Sequence, residues 1–224
     1  MRQRKVKNLD EKLAALGEYT VSEPEKLRGR WKQFFGNDRP VYLEIGCGKG
    51  QFIARQAELH EDRNYIAVEG QDSVVVRAME KAEALTEKSG RKNLMIVFKY
   101  VNDIGELFTE GELAGIYLNF SDPWPKDRHR KRRLTYRERL ASYMKALSDG
   151  GFIEIKTDND GLLAFTLEEI EVCGYKITEF EEDLHGAENK SAALAESASV
   201  TTEYEDRFRT KGLPIHYIRL EKHE

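Results

Sequence analysis

The segment Val41-Tyr42-Leu43-Glu44-Ile45-Gly46-Cys47-Gly48-Lys49-Gly50 constrains the fold more than any other part of the sequence. A short apolar run enters three glycines at alternate positions, and an amphipathic stretch follows at once from Gln51. This order is a strand, a sharp turn that residues without a Cβ make best, and a helix, which together commit the chain to a sheet with crossover helices. After Pro40 the alternation repeats. Residues 41–45, 65–69, 94–101, 115–120 and 152–156 read as strands, and residues 51–59, 73–86, 136–147 and 161–173 as helices. Residues 175–180 and 215–220 read as two further strands, forming an antiparallel hairpin at the sheet edge. The expected fold class is therefore α/β: a doubly wound, mostly parallel, seven-stranded sheet with an antiparallel C-terminal edge. Residues 1–39 read as a polar N-terminal extension, with short helices at 10–16 and 25–35, and residues 40–224 as one domain. The stretch HGAENKSAALAESAS, ending at Ser199, has the composition of a flexible loop with one helical turn at most.

Composition excludes several classes. With two cysteines, Cys47 and Cys173, there is no disulfide framework, and no Cys and His cluster has zinc-ligand spacing, so no metal is expected. The apolar runs are all too short for a membrane span, and the basic start lacks the apolar stretch of a signal peptide, so the expected location is cytoplasmic. Monomer and homodimer are equally open. A net charge of −4 argues against a uniformly positive surface. Positive charge is instead concentrated in KDRHRKRRLTYRER, where Lys126, Arg128, Arg130, Lys131, Arg132, Arg133, Arg137 and Arg139 face only Asp127 and Glu138. A solvated helix face is the plain alternative, but so few acids at helical spacing leave repulsion that a polyanion such as RNA would relieve.

The glycine turn differs from the dinucleotide fingerprint, because its third glycine comes one residue early and Glu44 precedes the first. A carboxylate there would repel a pyrophosphate but suits S-adenosyl-L-methionine, which carries a sulfonium and an ammonium. Gly46, Gly48 and Gly50 would let backbone approach it closely. Glu69, ending the second strand, can accept from two ribose hydroxyls, and either Asn102 or Asp103, ending the third, is placed to meet the adenine amino group or to be an ordinary turn residue. The fourth strand delivers Ser121-Asp122-Pro123-Trp124-Pro125-Lys126, in which two prolines hold a carboxylate and an aromatic face beside the same crevice and next to the arginine-rich run.

The string from Asn119 to Thr135, NFSDPWPKDRHRKRRLT, closely resembles the signature of the bacterial tRNA (guanine-N7)-methyltransferases, a family with a Rossmann-like fold that uses S-adenosylmethionine. The resemblance extends to residues 44–52 as the cofactor loop, Lys156-Thr157-Asp158-Asn159, and Thr202-Glu203-Tyr204-Glu205-Asp206-Arg207-Phe208, so it covers the chain from Pro40 onward. It implies cofactor contacts for Glu44, Glu69, Asp103 and Asp122, and tRNA as partner. It implies substrate contacts for Lys126, Asp158, Thr202, Glu203, Tyr204 and Glu205, and RNA contacts for Arg128, His129, Arg130, Lys131, Arg132 and Arg133. Guanine N7 offers its lone pair at neutral pH, so Asp122 and Asp158 are expected to act catalytically by stabilising charge, not by removing a proton. Two readings compete with N7 transfer. One is a methyltransferase for an exocyclic base amine, since Ser121-Asp122-Pro123-Trp124 resembles that group's loop, and the other is a non-catalytic RNA-binding protein on the same scaffold.

Overall fold

The computed structural model describes residues 7–186 and 190–223. In chain order the elements are α1 (Leu9–Ala15), α2 (Trp31–Phe35), β1 (Val41–Ile45), α3 (Gln51–Leu59), β2 (Asn64–Glu69), α4 (Asp72–Ser89), β3 (Leu94–Phe98), β4 (Leu113–Asn119), α5 (Arg137–Ala146), β5 (Leu147–Thr157), α6 (Asp160–Cys173), β6 (Ile177–Glu181), α7 (Ala192–Ser199), α8 (Glu203–Arg209) and β7 (His216–Glu221). The seven strands form one sheet in the order β3-β2-β1-β4-β5-β7-β6. The first five run parallel, and β7 is antiparallel to both of its neighbours.

Alternation along each strand sorts side chains to two faces. Val41, Leu43, Ile66, Val68, Ile116, Leu118, Ile153 and Ile155 enter one core with Trp31 of α2 and Leu140 of α5. Tyr65, Ala67 and Tyr117 enter the other with Phe52 of α3 and Met79 of α4. Glu44, Glu154 and Lys156 share the parity of this second set, which puts three ionisable groups inside the protein.

Residues before Pro40 pack onto the sheet: Val21 N–H donates to the Ile96 carbonyl at 2.9 Å, and Trp31 is fully buried, its indole N–H donating to the Leu107 carbonyl at 2.9 Å. The helix expected over 25–35 is instead a 3-10 turn (Pro24–Leu27) and the short α2, separated at Gly29, whose φ of 76° ends helical geometry. The expected antiparallel pair at the sheet edge is present, with a longer connection than a hairpin. β6 and β7 do pair antiparallel, but β7 inserts between β5 and β6, and the connection carries α7 and α8. Residues 187–189 of the expected flexible loop lie outside the described residues. The remainder holds the two-turn α7, capped by Ser191 Oγ accepting from Leu194 N–H at 3.0 Å, because Ala-rich sequence with a serine cap is helical once its Leu194 is buried.

Candidate active site

The carboxyl ends of β1, β2, β4 and β5 open onto one crevice, the usual ligand position in such sheets. At its floor Gly46, Gly48 and Gly50 all take left-handed backbone, with φ of 75°, 57° and 73°. A Cβ at Gly50 would lie 2.8 Å from Ala78 Cβ on α4, whereas one at Gly46 or Gly48 would meet nothing within 4 Å. Gly50 is thus required by packing, and the other two by the turn, which leaves open space above them. Glu69 braces this turn: one carboxylate oxygen accepts from Gly48 N–H at 3.0 Å and the other from Gln71 N–H at 2.8 Å.

Glu44 is 1% exposed, and burial pushes its pKa up to about 7, opposed by the hydrogen bond from Asn119 Nδ2 at 2.8 Å to Oε1. Its Oε2 is buried and meets no full hydrogen bond among the described residues, although the Ile53 backbone N–H also helps to lower the pKa of this carboxyl. An unmet buried carboxylate oxygen costs about 1–3 kcal/mol or more, so the position favours a ligand that brings a donor or a positive charge. The donor set fits a cationic nucleoside: Glu44 for an ammonium, Glu69 for hydroxyls, and the glycine backbone for close approach.

Asn102 and Asp103 are both engaged within the protein. Asp103 caps a 3-10 turn (Ile104–Glu106), with Oδ1 accepting from Gly105 N–H at 2.9 Å and from the Ser142 hydroxyl, and these bonds lower its pKa. The Asn102 carbonyl accepts from Arg139 at 2.8 Å.

After β4 the chain makes two left-handed turns at non-glycine residues, Phe120 (φ 50°) and Trp124 (φ 41°), and exposed Asp122 lies between them. Arg133 holds this loop, donating from Nε to the Pro123 carbonyl at 2.9 Å and from Nη2 to the Trp124 carbonyl at 3.0 Å, with its guanidinium over the Phe165 ring. The basic run is therefore not uniform. Lys126, Arg128, Arg130, Lys131 and Arg132 are exposed on or beside a 3-10 turn (Asp127–Arg132), with Arg132 stacked over Trp124 at 4.9 Å and His129 edge-on to the same ring. Arg137 instead makes a paired contact with Glu169 at 2.7 and 2.8 Å, and Arg139 reaches back to residue 102.

Asp158 follows β5 at the crevice and faces α8, where the Tyr204 hydroxyl donates to Oδ2 at 3.4 Å. The Tyr204 ring is 43% exposed and packs between Phe120 and Phe208, with centroids 5.1 and 4.5 Å away. Its neighbours in the motif are occupied differently. Thr202 Oγ1 and the Glu205 carboxylate form a capping box at the start of α8, Glu205 is completely buried, and Glu203 pairs with Lys49 of the glycine turn at 2.6 Å.

Lys156, which opens the Lys156-Thr157-Asp158-Asn159 motif but carries no role in the sequence, is 1% exposed beside Glu205; burial lowers its pKa and the Glu205 charge opposes that shift. Apart from that motif, its signal is a lysine alternating with isoleucines in Ile153-Glu154-Ile155-Lys156, which reads equally well as a solvent-facing strand position. The structural roles of Arg133 and Glu169 carry no local signal.

Residues 38–218 match a family described as putative methyltransferases. The chain is 44% identical over 206 residues to the tRNA (guanine-N(7)-)-methyltransferase of Geobacillus thermodenitrificans, covering 92% of this chain and 90% of that one. It is 42% identical over 218 residues to the enzyme of the same name from Lactococcus lactis subsp. cremoris, covering 97% and 96%. Among solved structures, the 16S rRNA methyltransferase KamB aligns with a TM-score of 0.64 at 14% identity over 88% of this chain and 94% of that one, and an antibiotic-related methyltransferase with 0.61 at 17% over 88% and 94%. At such identities the likeness carries the Rossmann-like methyltransferase fold alone, whereas identity above 40% along nearly the whole chain carries more. With its glycine turn, its carboxylate-lined crevice and these relatives, the chain belongs to the tRNA (guanine-N7)-methyltransferase family.

Proposed function

We propose that the protein transfers the methyl group of S-adenosylmethionine to N7 of a guanine in tRNA, the variable-loop guanine being the one the resemblance implies. The observation that carries this reading is the buried Glu44 oxygen that meets no full hydrogen bond, beside the open glycine turn, in a chain whose relatives bear that activity in their names. Glu44, the turn at Gly46 and Gly48, and Glu69 would hold the cofactor, and when bound its sulfonium supplies the methyl group. Guanine N7 needs no deprotonation, so the side chains orient the base and balance charge. Asp122 and Asp158 flank the mouth of the crevice, where a carboxylate favours positive charge developing on the purine. Asp158 can also accept from the guanine N1 and N2 hydrogens, a donor pair that adenine lacks.

In A-form RNA the major groove that carries N7 is deep and narrow, so an accessible guanine belongs to a loop or a distorted region. The exposed cations from Lys126 to Arg132 supply attraction to phosphates without reading sequence. The test is incubation of the purified protein with methyl-labelled S-adenosylmethionine and unmodified tRNA, followed by nucleoside analysis. Label is expected in 7-methylguanosine. Label on an exocyclic amine, or no transfer under conditions where the tRNA is bound, would replace this reading with one of its competitors.

A further inference from the structure

The first turn of α8 is held by four separate grips on four consecutive residues. Glu203 is taken by Lys49 at 2.6 Å and Lys81 at 3.5 Å, and Tyr204 by Asp158 at 3.4 Å and the Phe120 ring. Glu205 is taken by Lys156 at 3.5 Å and His185 at 2.7 Å, and Asp206 by Gln51 at 2.9 Å and Thr201 at 2.7 Å. Lys49 belongs to the glycine turn and Gln51 opens α3 directly after it, whereas Lys156 and Asp158 sit two residues apart on β5 and its exit.

The Glu205 grip is the one that burial makes costly. Lys156 Nζ has three protons and three acceptors, the carbonyls of Ser197 at 2.6 Å and Val200 at 3.1 Å and the Glu205 carboxylate, with the Phe52 ring 5.3 Å away. It thereby ties the end of α7 to the start of α8. Glu205 in turn accepts from Lys156, from His185 and from Thr202 N–H at 3.2 Å, and none of its surface is exposed. Neither group has an atom left for a substrate. An ion pair sealed this completely is seldom worth its desolvation for stability alone.

We propose that Lys156 and Glu205, backed by His185, are positioning residues: they fix the first turn of α8 so that Tyr204 is presented to Asp158 at the mouth of the crevice. Glu205 then acts without touching the substrate, despite lying in the motif from which substrate contacts were expected. The inference rests on the methyl-transfer reading for its kinetic part only.

Two variants test it, Lys156→Met and the near-isosteric Glu205→Gln, which preserves the fold should the first not. Hydrogen–deuterium exchange of the cofactor-free protein is expected to lose protection over residues 201–209 in both, while β1 to β4 keep theirs. The single-turnover rate with tRNA is expected to fall at least tenfold, with cofactor affinity within threefold of the parent. Tyr204→Phe is expected to slow the parent severalfold but to add less than twofold in either background, since the hydroxyl is already misplaced. Unchanged exchange over 201–209, or a Tyr204→Phe effect that multiplies fully with each variant, would overturn the proposal. A parent protein without methyl transfer would overturn the functional reading and leave the exchange result to decide the structural one.

Discussion

The crevice and the basic turn beside it are both crowded with charge, yet they are built in opposite ways. In the crevice nearly every ionisable group has a fixed internal partner: Glu69 with two backbone amides, Glu44 with Asn119, Glu205 with Lys156 and His185. On the turn, Arg128, Arg130 and Arg132 lie on the surface and stack or point outward. Fixed partners hold geometry to fractions of an ångström, as transfer between two bound molecules requires, whereas loose exposed cations suit a polyanion that must be attracted from any angle. The lesson is that charge density alone does not mark function; the degree to which each charge is already satisfied does.

The strongest challenge to this contrast is Asp158→Ala. Cofactor affinity is expected to stay within a few-fold while tRNA methylation falls by about 10²-fold or more, the scale of removing one electrostatic contact to a reacting centre. Normal turnover would remove Asp158 from the crevice.

A sharper cut runs inside the arginine-rich run. Arg133→Ala frees the Pro123 and Trp124 carbonyls and is expected to lower both the melting temperature and methylation, the latter by about tenfold, in line with a lost pair of charged hydrogen bonds. Arg132→Ala should leave the melting temperature alone and reduce the slope of log affinity for tRNA against log salt by about 1. If the two variants behave alike in thermal melts and salt titrations, the division between holding and attracting arginines is wrong.

The smallest effect is a pH dependence. Burial holds Glu44 protonated up to about 7, so between the ordinary carboxylate range and that pH the folded protein keeps a proton that the unfolded chain has lost. Stability from this group therefore falls as pH rises through that window. Binding of a cation runs the other way, because it favours the ionised carboxylate. Calorimetric affinity for S-adenosylmethionine is expected to rise by up to about tenfold from pH 6 to pH 8, as follows from one ionisation near the middle of that range, and to be flat in Glu44→Gln. A flat profile in the parent protein would mean that Glu44 does not meet the cation.

What the sequence disclosed follows the range over which each feature is determined. β1 and α3 match their expected bounds, because the apolar run, the glycines and the helical period are all local. The left-handed break at Gly29 was invisible against a continuous helical pattern, and α7 was hidden by an Ala and Ser composition that serves a loop as well. Placement of β7 between β5 and β6 depends on strands far apart in the chain, so no neighbouring residues announce it. In the site, the positions of Glu44 and Glu69 beside the glycine turn could be read because both belong to local strand patterns that end there. Lys156 could not, since its burial is supplied by α7 and α8, and Arg133 could not be told from Arg132 until both were folded.

The inserted β7 also has a bearing on how the molecule is made. Among the described residues β6 pairs with the sheet only through β7, so on a growing chain β6 is made before the strand that will attach it, and the flank of β5 stays bare until β7 arrives. Completion of the crevice wall formed by α8 is thus tied to the final stitch of the sheet, and a nascent chain caught before that stitch would expose two sticky edges to its neighbours.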